Sequence, residues 1–415
     1  MENPVISEYE DLKTIAIITH NFVNFLKRCR HSESSQIIFL FLKMKKFAFC
    51  IVLIYFQIIP MISMAQEAWK GYEKLFQPAR NYIIYQVENE LTIDGKADEP
   101  SWEQAAWTAD FIDIEGDTKP QPKYRTRAKM LWDKNFLYIL AELEEPQICA
   151  YYKDHDQIVY HENDFEIFID PDGFGRNYFE FELNAQNTLF DLLLPKPYRN
   201  GGKAMIGWDA AGFKSAVSIV GTLNDPTDTD KNWNVEIAIP FASLKMGLKN
   251  PVPSDGRQWK INFSRVEWQS VIVDGKYQKK KDEKTGRDLS ENNWVWNPTG
   301  EINMHVPERW GLAQFSAKTV SSEKVAFQLS DQEALRKIVW MVYYKQQDFK
   351  KTHGHFSLSL SDLKVPAVMN VSSGKTARIK LSAATNRFTV LLTTKEGLYL
   401  SLDENGLIQN GHHKN

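Results

Sequence analysis

Residues Tyr160 to Asn184 read YHENDFEIFIDPDGFGRNYFEFELN, and this stretch decides the fold. From Asp164 to Asp170 the alternation is strict, with Phe165, Ile167 and Ile169 on one side and Asp164, Glu166, Phe168 and Asp170 on the other. Successive strand side chains point to opposite faces, so this is a strand with one apolar and one largely acidic face. Pro171, Asp172 and Gly173 supply turn chemistry. The run after the turn repeats the pattern, with Phe179, Phe181 and Leu183 inward and Tyr178, Glu180, Glu182 and Asn184 outward. Pairing the two strands crowds carboxylates on one surface, an arrangement that destabilises a ladder unless something compensates. The compensating agents open to it are a metal ion, an arginine, a polyol ligand or plain solvent.

Working outward, the same grammar recurs. Thr126 to Trp132 and Phe136 to Leu143 form a hairpin across Asp133 to Asn135, and further strands are predicted at 188–194, 213–220, 233–239, 259–267 and 311–316. Short strands separated by turn signals, almost without helical periodicity, predict a mainly β protein built as an antiparallel β-sandwich over 85–317. The charged segment 274–290 reads as a solvated hairpin tip. A small α+β domain is expected over 320–415. Ser330 and Glu333 form a capping box there, Leu335, Ile338, Val339 and Val342 trace one helix face, and Gly354 stops the helix. Strand-like runs follow at 376–382, 387–394 and 397–402. That domain carries no chemical motif and reads as an accessory unit or a docking surface for a protein partner.

The 415 residues suffice for two or three domains. A net charge of -3 and a pI near 6.3 exclude a nucleic-acid-binding signature. Residues 1–65 differ from the rest. Met44 to Lys46 is basic, Phe47 to Ile62 is nearly continuous apolar sequence, and Ser63 to Ala65 ends in small residues before Gln66. This predicts a secretory signal peptide at 44–65, preceded by a doubtful extension and followed by a leader at 66–84. The expectation is an exported protein, periplasmic, cell-surface or extracellular, with no membrane association after cleavage. Of Cys29, Cys50 and Cys149 only Cys149 would survive, which excludes an internal disulfide in the mature chain.

Several runs together resemble family 9 carbohydrate-binding modules: Leu91 to Gly95 (LTIDG), Met130 to Ala141 (MLWDKNFLYILA), Asn163 to Asp170 (NDFEIFID), Trp233 to Pro240 (WNVEIAIP), Ile261 to Phe263 and Trp310-Gly311. The resemblance spans roughly 85–317. It implies a β-sandwich that binds polysaccharide or oligosaccharide without cleaving it, between two aromatic rings, with calcium in structural positions. It places the first ring at Tyr160 and the acidic ligand at Glu166. The second falls in the loop Asn292 to His305, at Met304 or His305, where this chain departs from the pattern; Trp294 or Trp296 are the substitutes.

A sugar needs an aromatic platform for its C–H face and fixed polar groups for its hydroxyls. Tyr160 and Trp296 suit the first task, with Glu166 and Arg265 suited to the second. Alternation along Trp259, Ile261 and Phe263 would bury Arg265, so it is either rotated outward or paired as a buried Arg–Glu bridge. Asn163, Asp164, Asn184 and Asn303 are weaker polar candidates. Asp170 and Asp172 are the candidate calcium ligands, against the reading of an ordinary turn. His155 and His161 lack the partners for zinc. The rival functions are a glycoside hydrolase using Glu166 with Glu180 or Glu182, and a structural or docking protein of the cell envelope.

Overall fold

The alternation seen in the sequence builds a continuous twelve-stranded sheet that curls into two layers. The computed structural model describes residues 67–412 except 74–76, 247 and 373. The predicted signal peptide, with the rest of 1–66, lies outside the described residues. In chain order the strands are β1 (Asn81–Gln86), β2 (Ile112–Asp113), β3 (Thr126–Trp132), β4 (Phe136–Glu144), β5 (Asp164–Asp170), β6 (Tyr178–Asn184), β7 (Leu189–Leu194), β8 (Lys214–Val220), β9 (Asn232–Pro240), β10 (Gln258–Glu267), β11 (Ser270–Val273), β12 (Lys276–Lys279), β13 (Asn292–Val295) and β14 (Gly311–Thr319). The main path runs β7-β6-β5-β10-β14-β1-β3-β4-β9-β8, with β13 and β2 attached beside β10. Pairings are antiparallel except those of β1, which lies parallel to both β14 and β3.

The inward residues of the two halves share a single apolar core. Phe165, Ile167, Phe181 and Phe263 from one layer meet Met130, Ile139, Val235 and Ile237 from the other. All eight are 0% exposed, so the sandwich rests on burial of apolar area, the dominant favourable contribution to folding. The segment 274–290 is more ordered than its charge suggests. Its first residues complete a β11–β12 hairpin, because Tyr277 is buried and donates its hydroxyl to the Asp225 carbonyl at 3.2 Å.

Beyond the sandwich, a helix spans Asp331–His353. Ser330 caps it by accepting from Glu333 N–H at 3.2 Å, and Gly354 ends it in the left-handed conformation, φ +77°. It packs on a meander of β15 (Val368–Ser372), β16 (Lys375–Ala384), β17 (Arg387–Thr394), β18 (Leu398–Asp403) and β19 (Ile408–His412). Buried polar contacts join this layer to the sandwich. Lys260 pairs with Glu333, Arg199 bridges to Glu308 at 2.8 Å, and Tyr344 donates to the same Glu308. Arg336 donates to the Asp172 carbonyl in the β5–β6 turn at 2.6 Å.

Candidate functional site

The outward faces of β5 and β6 are not solvated: Asp164, Glu166, Phe168, Glu180, Glu182 and Asn184 are all 5% exposed or less. Alternation gives the two faces of a strand, but not what covers them. Here loops before β5, after β7 and before β14 close over the acidic face and leave a cleft of about 510 Å3. That volume lies within the range of small-ligand sites. Glu166, Glu180 and Glu182 lie on its floor. Tyr160, Tyr198 and His305 edge it, together with Ile158, Ile206 and Ile302. The rim is strongly apolar for a surface: Tyr160 is 42% exposed, Tyr198 48% and Ile302 72%.

Register explains the floor. Glu166 stands directly opposite Glu182 on β6 and opposite Ser264 on β10. Ligand oxygens of Asp164, Glu166 and Glu182 all lie within 4.8 Å of one another. Glu182 accepts the Tyr160 N–H at 3.0 Å, and Asp164 accepts the Val266 N–H at 3.3 Å. Burial, reinforced by neighbouring carboxylates, raises all four acids. Glu166 is pushed up to about 7 by burial and by Glu291, while Asp164, Glu180 and Glu182 are raised by burial first and by Glu166 second. The buried salt bridges of the described residues lie elsewhere, at Lys260, Arg199 and Arg265.

His305 follows Met304, whose carbonyl accepts the Trp310 indole N–H at 2.7 Å and so fixes the loop. The imidazole lies edge-on to Tyr198, centroids 4.5 Å apart, and its Nδ1 is 3.1 Å from the Tyr178 hydroxyl. Burial lowers its pKa to about 4, so at neutral pH it presents an uncharged ring. Asn303 also reaches the cleft, though its amide oxygen already accepts the His305 N–H at 2.9 Å.

The structure therefore brings together Tyr160, Glu166, Asn303 and His305 and sets three other candidates apart. Trp294 and Trp296 are 4% and 1% exposed and face the core, Trp294 against Tyr124 and Trp296 against Phe263. Neither offers a ring to a ligand. Arg265 keeps the inward alternation, standing opposite Phe165, and is 1% exposed. It donates to Glu145 at 2.7 Å and Glu267 at 2.8 Å, which makes it the buried bridge rather than a hydroxyl partner.

Asp170 and Asp172 do not fit calcium. The two oxygens of Asp170 accept Gly173 and Gly175 N–H groups, Asp172 accepts Phe174 N–H, and the Arg336 guanidinium lies against the turn. The pair orders the turn, and a cation already attends it. Asn163 and Asn184 likewise serve the backbone, at Trp268 and Thr188. His155 gathers with exposed Asp156 and Asp209 over buried Asp191, and none of the four lines the cleft.

Sequence reasoning missed Tyr198, Ile206 and Ile302. They sit in loops without periodicity, and the one signal open to it was an unusual density of large apolar residues in exposed segments.

A β-sandwich with an open cleft on one layer, ringed by aromatics and floored by fixed polar groups, is the architecture of a ligand-binding module. Residues 93–312, more than half of the chain, match the family described as carbohydrate family 9 binding domain-like, and the chain belongs to that family. It is 29% identical over 155 residues to endo-1,4-beta-xylanase C of Paenibacillus barcinonensis, a match covering 37% of this chain but 12% of that enzyme. Among solved structures it is similar to a family 9 carbohydrate binding module from Caldicellulosiruptor kristjanssonii. In complex with cellotriose, that module shows 16% identity and TM-score 0.37, with 60% of this chain and 100% of the module covered. In complex with glucose it shows 18% identity and TM-score 0.36, with 59% of this chain and 98% of the module covered.

Proposed function

We propose that this protein binds carbohydrate in the cleft between Tyr160 and the Tyr198–His305 pair and does not cleave it, serving the recognition or breakdown of polysaccharide. The observation that carries the reading is the convergence of rings and carboxylates on one cavity. Tyr160 and Tyr198 supply faces for C–H stacking, while Glu166, Glu180 and Glu182 supply acceptors for hydroxyls. The match to a carbohydrate-binding family supports it. An acidic floor repels anionic ligands, so neutral sugars are expected to bind and uronates to be rejected. We propose export as well, supported by the signal-like stretch 44–65.

Calorimetric titration of the full chain with glucose, cellotriose and xylo-oligosaccharides tests the reading. Saturable binding of a neutral sugar, without release of reducing ends, is the expected result. A folded chain that binds none of them in a broader glycan screen would overturn it, and released reducing sugar would replace binding with hydrolysis.

A further inference from the structure

Resting on the reading of the cleft as a sugar site, we infer that the helix Asp331–His353 positions the cleft's second aromatic wall, with Tyr344 and Tyr343 as the residues that hold it. The helix lies outside the matched family region 93–312. Two loops build the wall. The turn Tyr198–Asn200 after β7 presents Tyr198, and the loop that carries the His305 imidazole runs on into the turn Pro307–Arg309. The two rings meet edge-on, centroids 4.5 Å apart. Neither turn is part of a strand, so no ladder sets the spacing between the loops.

A buried junction behind the rings sets that spacing. Arg199, next to Tyr198, bridges at 2.8 Å to Glu308, which follows His305 on the other loop. The Tyr344 hydroxyl closes the junction from the helix: it donates to Glu308 and accepts from Arg199 Nη1 at 3.4 Å. The Tyr344 ring lies against the Arg309 guanidinium at 4.6 Å, and Trp340 lies against Arg199 at 5.0 Å. Tyr343 adds a second hold, its hydroxyl accepting from Asn200 Nδ2 at 2.8 Å. Each loop thus gives a ring to the cleft and a charge to the junction, and the helix supports both. Burial alone would raise the Glu308 carboxyl, but Arg199 holds it below its ordinary value, so the junction is ionised at neutral pH. Charge-assisted bonds are short and geometrically specific, and a wall fixed in advance spares a ligand the cost of ordering it. Tyr160, on the facing wall, is held separately, through its N–H to Glu182.

Two readouts on the full chain test this: the Kd for the sugar it binds, by calorimetry, and the His305 imidazole C–H resonances, by NMR without sugar. Tyr344→Phe keeps the ring and deletes a hydroxyl bonded to both loops. If the wall is then in place about one-fifth of the time, Kd should rise about fivefold. The His305 resonances, shifted in the native chain by the Tyr198 ring, should move toward their values in Tyr198→Ala. Tyr343→Phe, which deletes the bond to Asn200, should act in the same direction. With Tyr198 already replaced by alanine, Tyr344→Phe should cost no further affinity, whereas with Tyr160 replaced its effect should persist. Gln346→Leu is the control. Gln346 is buried in the same helix but bonds to the Ser357 backbone, so its loss should lower stability and leave Kd and the resonances unchanged. Unmoved His305 resonances in a folded Tyr344→Phe, with sugar still bound, would overturn the inference and leave the sugar site standing. Equal losses of affinity in Tyr344→Phe and Gln346→Leu would overturn it too, as would a Tyr344→Phe effect undiminished by Tyr198→Ala. A native chain that binds no sugar, with His305 resonances that move in Tyr344→Phe but not in Gln346→Leu, would keep the positioned wall and remove the sugar.

Discussion

Tyr160→Ala gives the sharpest test of the cleft. Tyr160 is 42% exposed. For an aromatic side chain of roughly 200 Å2, that leaves about 80 Å2 for a sugar to cover. At about 25 cal/mol per Å2 the covered area is worth about 2 kcal/mol. Removing the ring should therefore weaken binding roughly 30-fold. The fold should be unaffected, because the strands beside Tyr160 are held by Glu182 through its backbone N–H, which alanine keeps. Tyr151 is the control: it is 47% exposed, offers similar area and does not line the cleft. Calorimetry of both variants against the sugar that binds the native chain decides the matter. Equal affinity in a folded Tyr160→Ala, or equal losses in both variants, would show that stacking in this cleft does not hold the ligand.

Further outcomes follow from the buried groups. Trp296→Ala should cost about 3–5 kcal/mol in urea unfolding while leaving sugar Kd unchanged, since Trp296 is 1% exposed and faces the core. Glu333→Ala strands Lys260, whose side chain is 3% exposed, and should cost about 3–5 kcal/mol. Pairing Lys260→Met with Glu333→Leu should recover most of that loss. The raised pKa of Glu166, from 4.5 to about 7, stabilises the fold below pH 4.5, and this stability is lost as pH rises through 7. The full effect is about 3 kcal/mol. His305, lowered from 6.5 to about 4, works oppositely, its contribution vanishing as pH falls through that interval. Unfolding of Glu166→Gln beside the native chain isolates the carboxylate: its stability should fall less between pH 5 and 8.

The strands were legible because each carries its own period. Phe165, Ile167 and Ile169 mark the core face of β5 without knowledge of any partner. The C-terminal helix was legible through Ser330, Glu333 and Gly354. Two edge strands of its sheet, β15 and β19, were missed, their pattern being short and weakly alternating. The site was legible only where it touched a strand. Tyr160 and Glu166 adjoin or occupy β5, whereas Tyr198 reaches the cleft from a loop whose path depends on the whole fold. Trp294 misled because a tryptophan in a loop-like run looks available. It lies on β13, where pairing with Arg265 and Asp113 turns it inward. Arg265 shows the limit of alternation: the pattern buries it, and only the approach of Glu145 from beyond β4 shows what neutralises it.

The parallel pairing of β1 has a consequence for how the chain matures. β1 joins Asn81–Gln86 to Leu312–Thr319, residues that lie at opposite ends of the sandwich sequence. Until the last of these has been synthesised, the two layers lack the ladder that joins them. At roughly 5–20 residues per second that delay is on the order of ten seconds or more. Closing so long a loop also makes the step intrinsically slow. The nascent polypeptide therefore stays unclosed for most of its synthesis, and the two layers lock together only at its end.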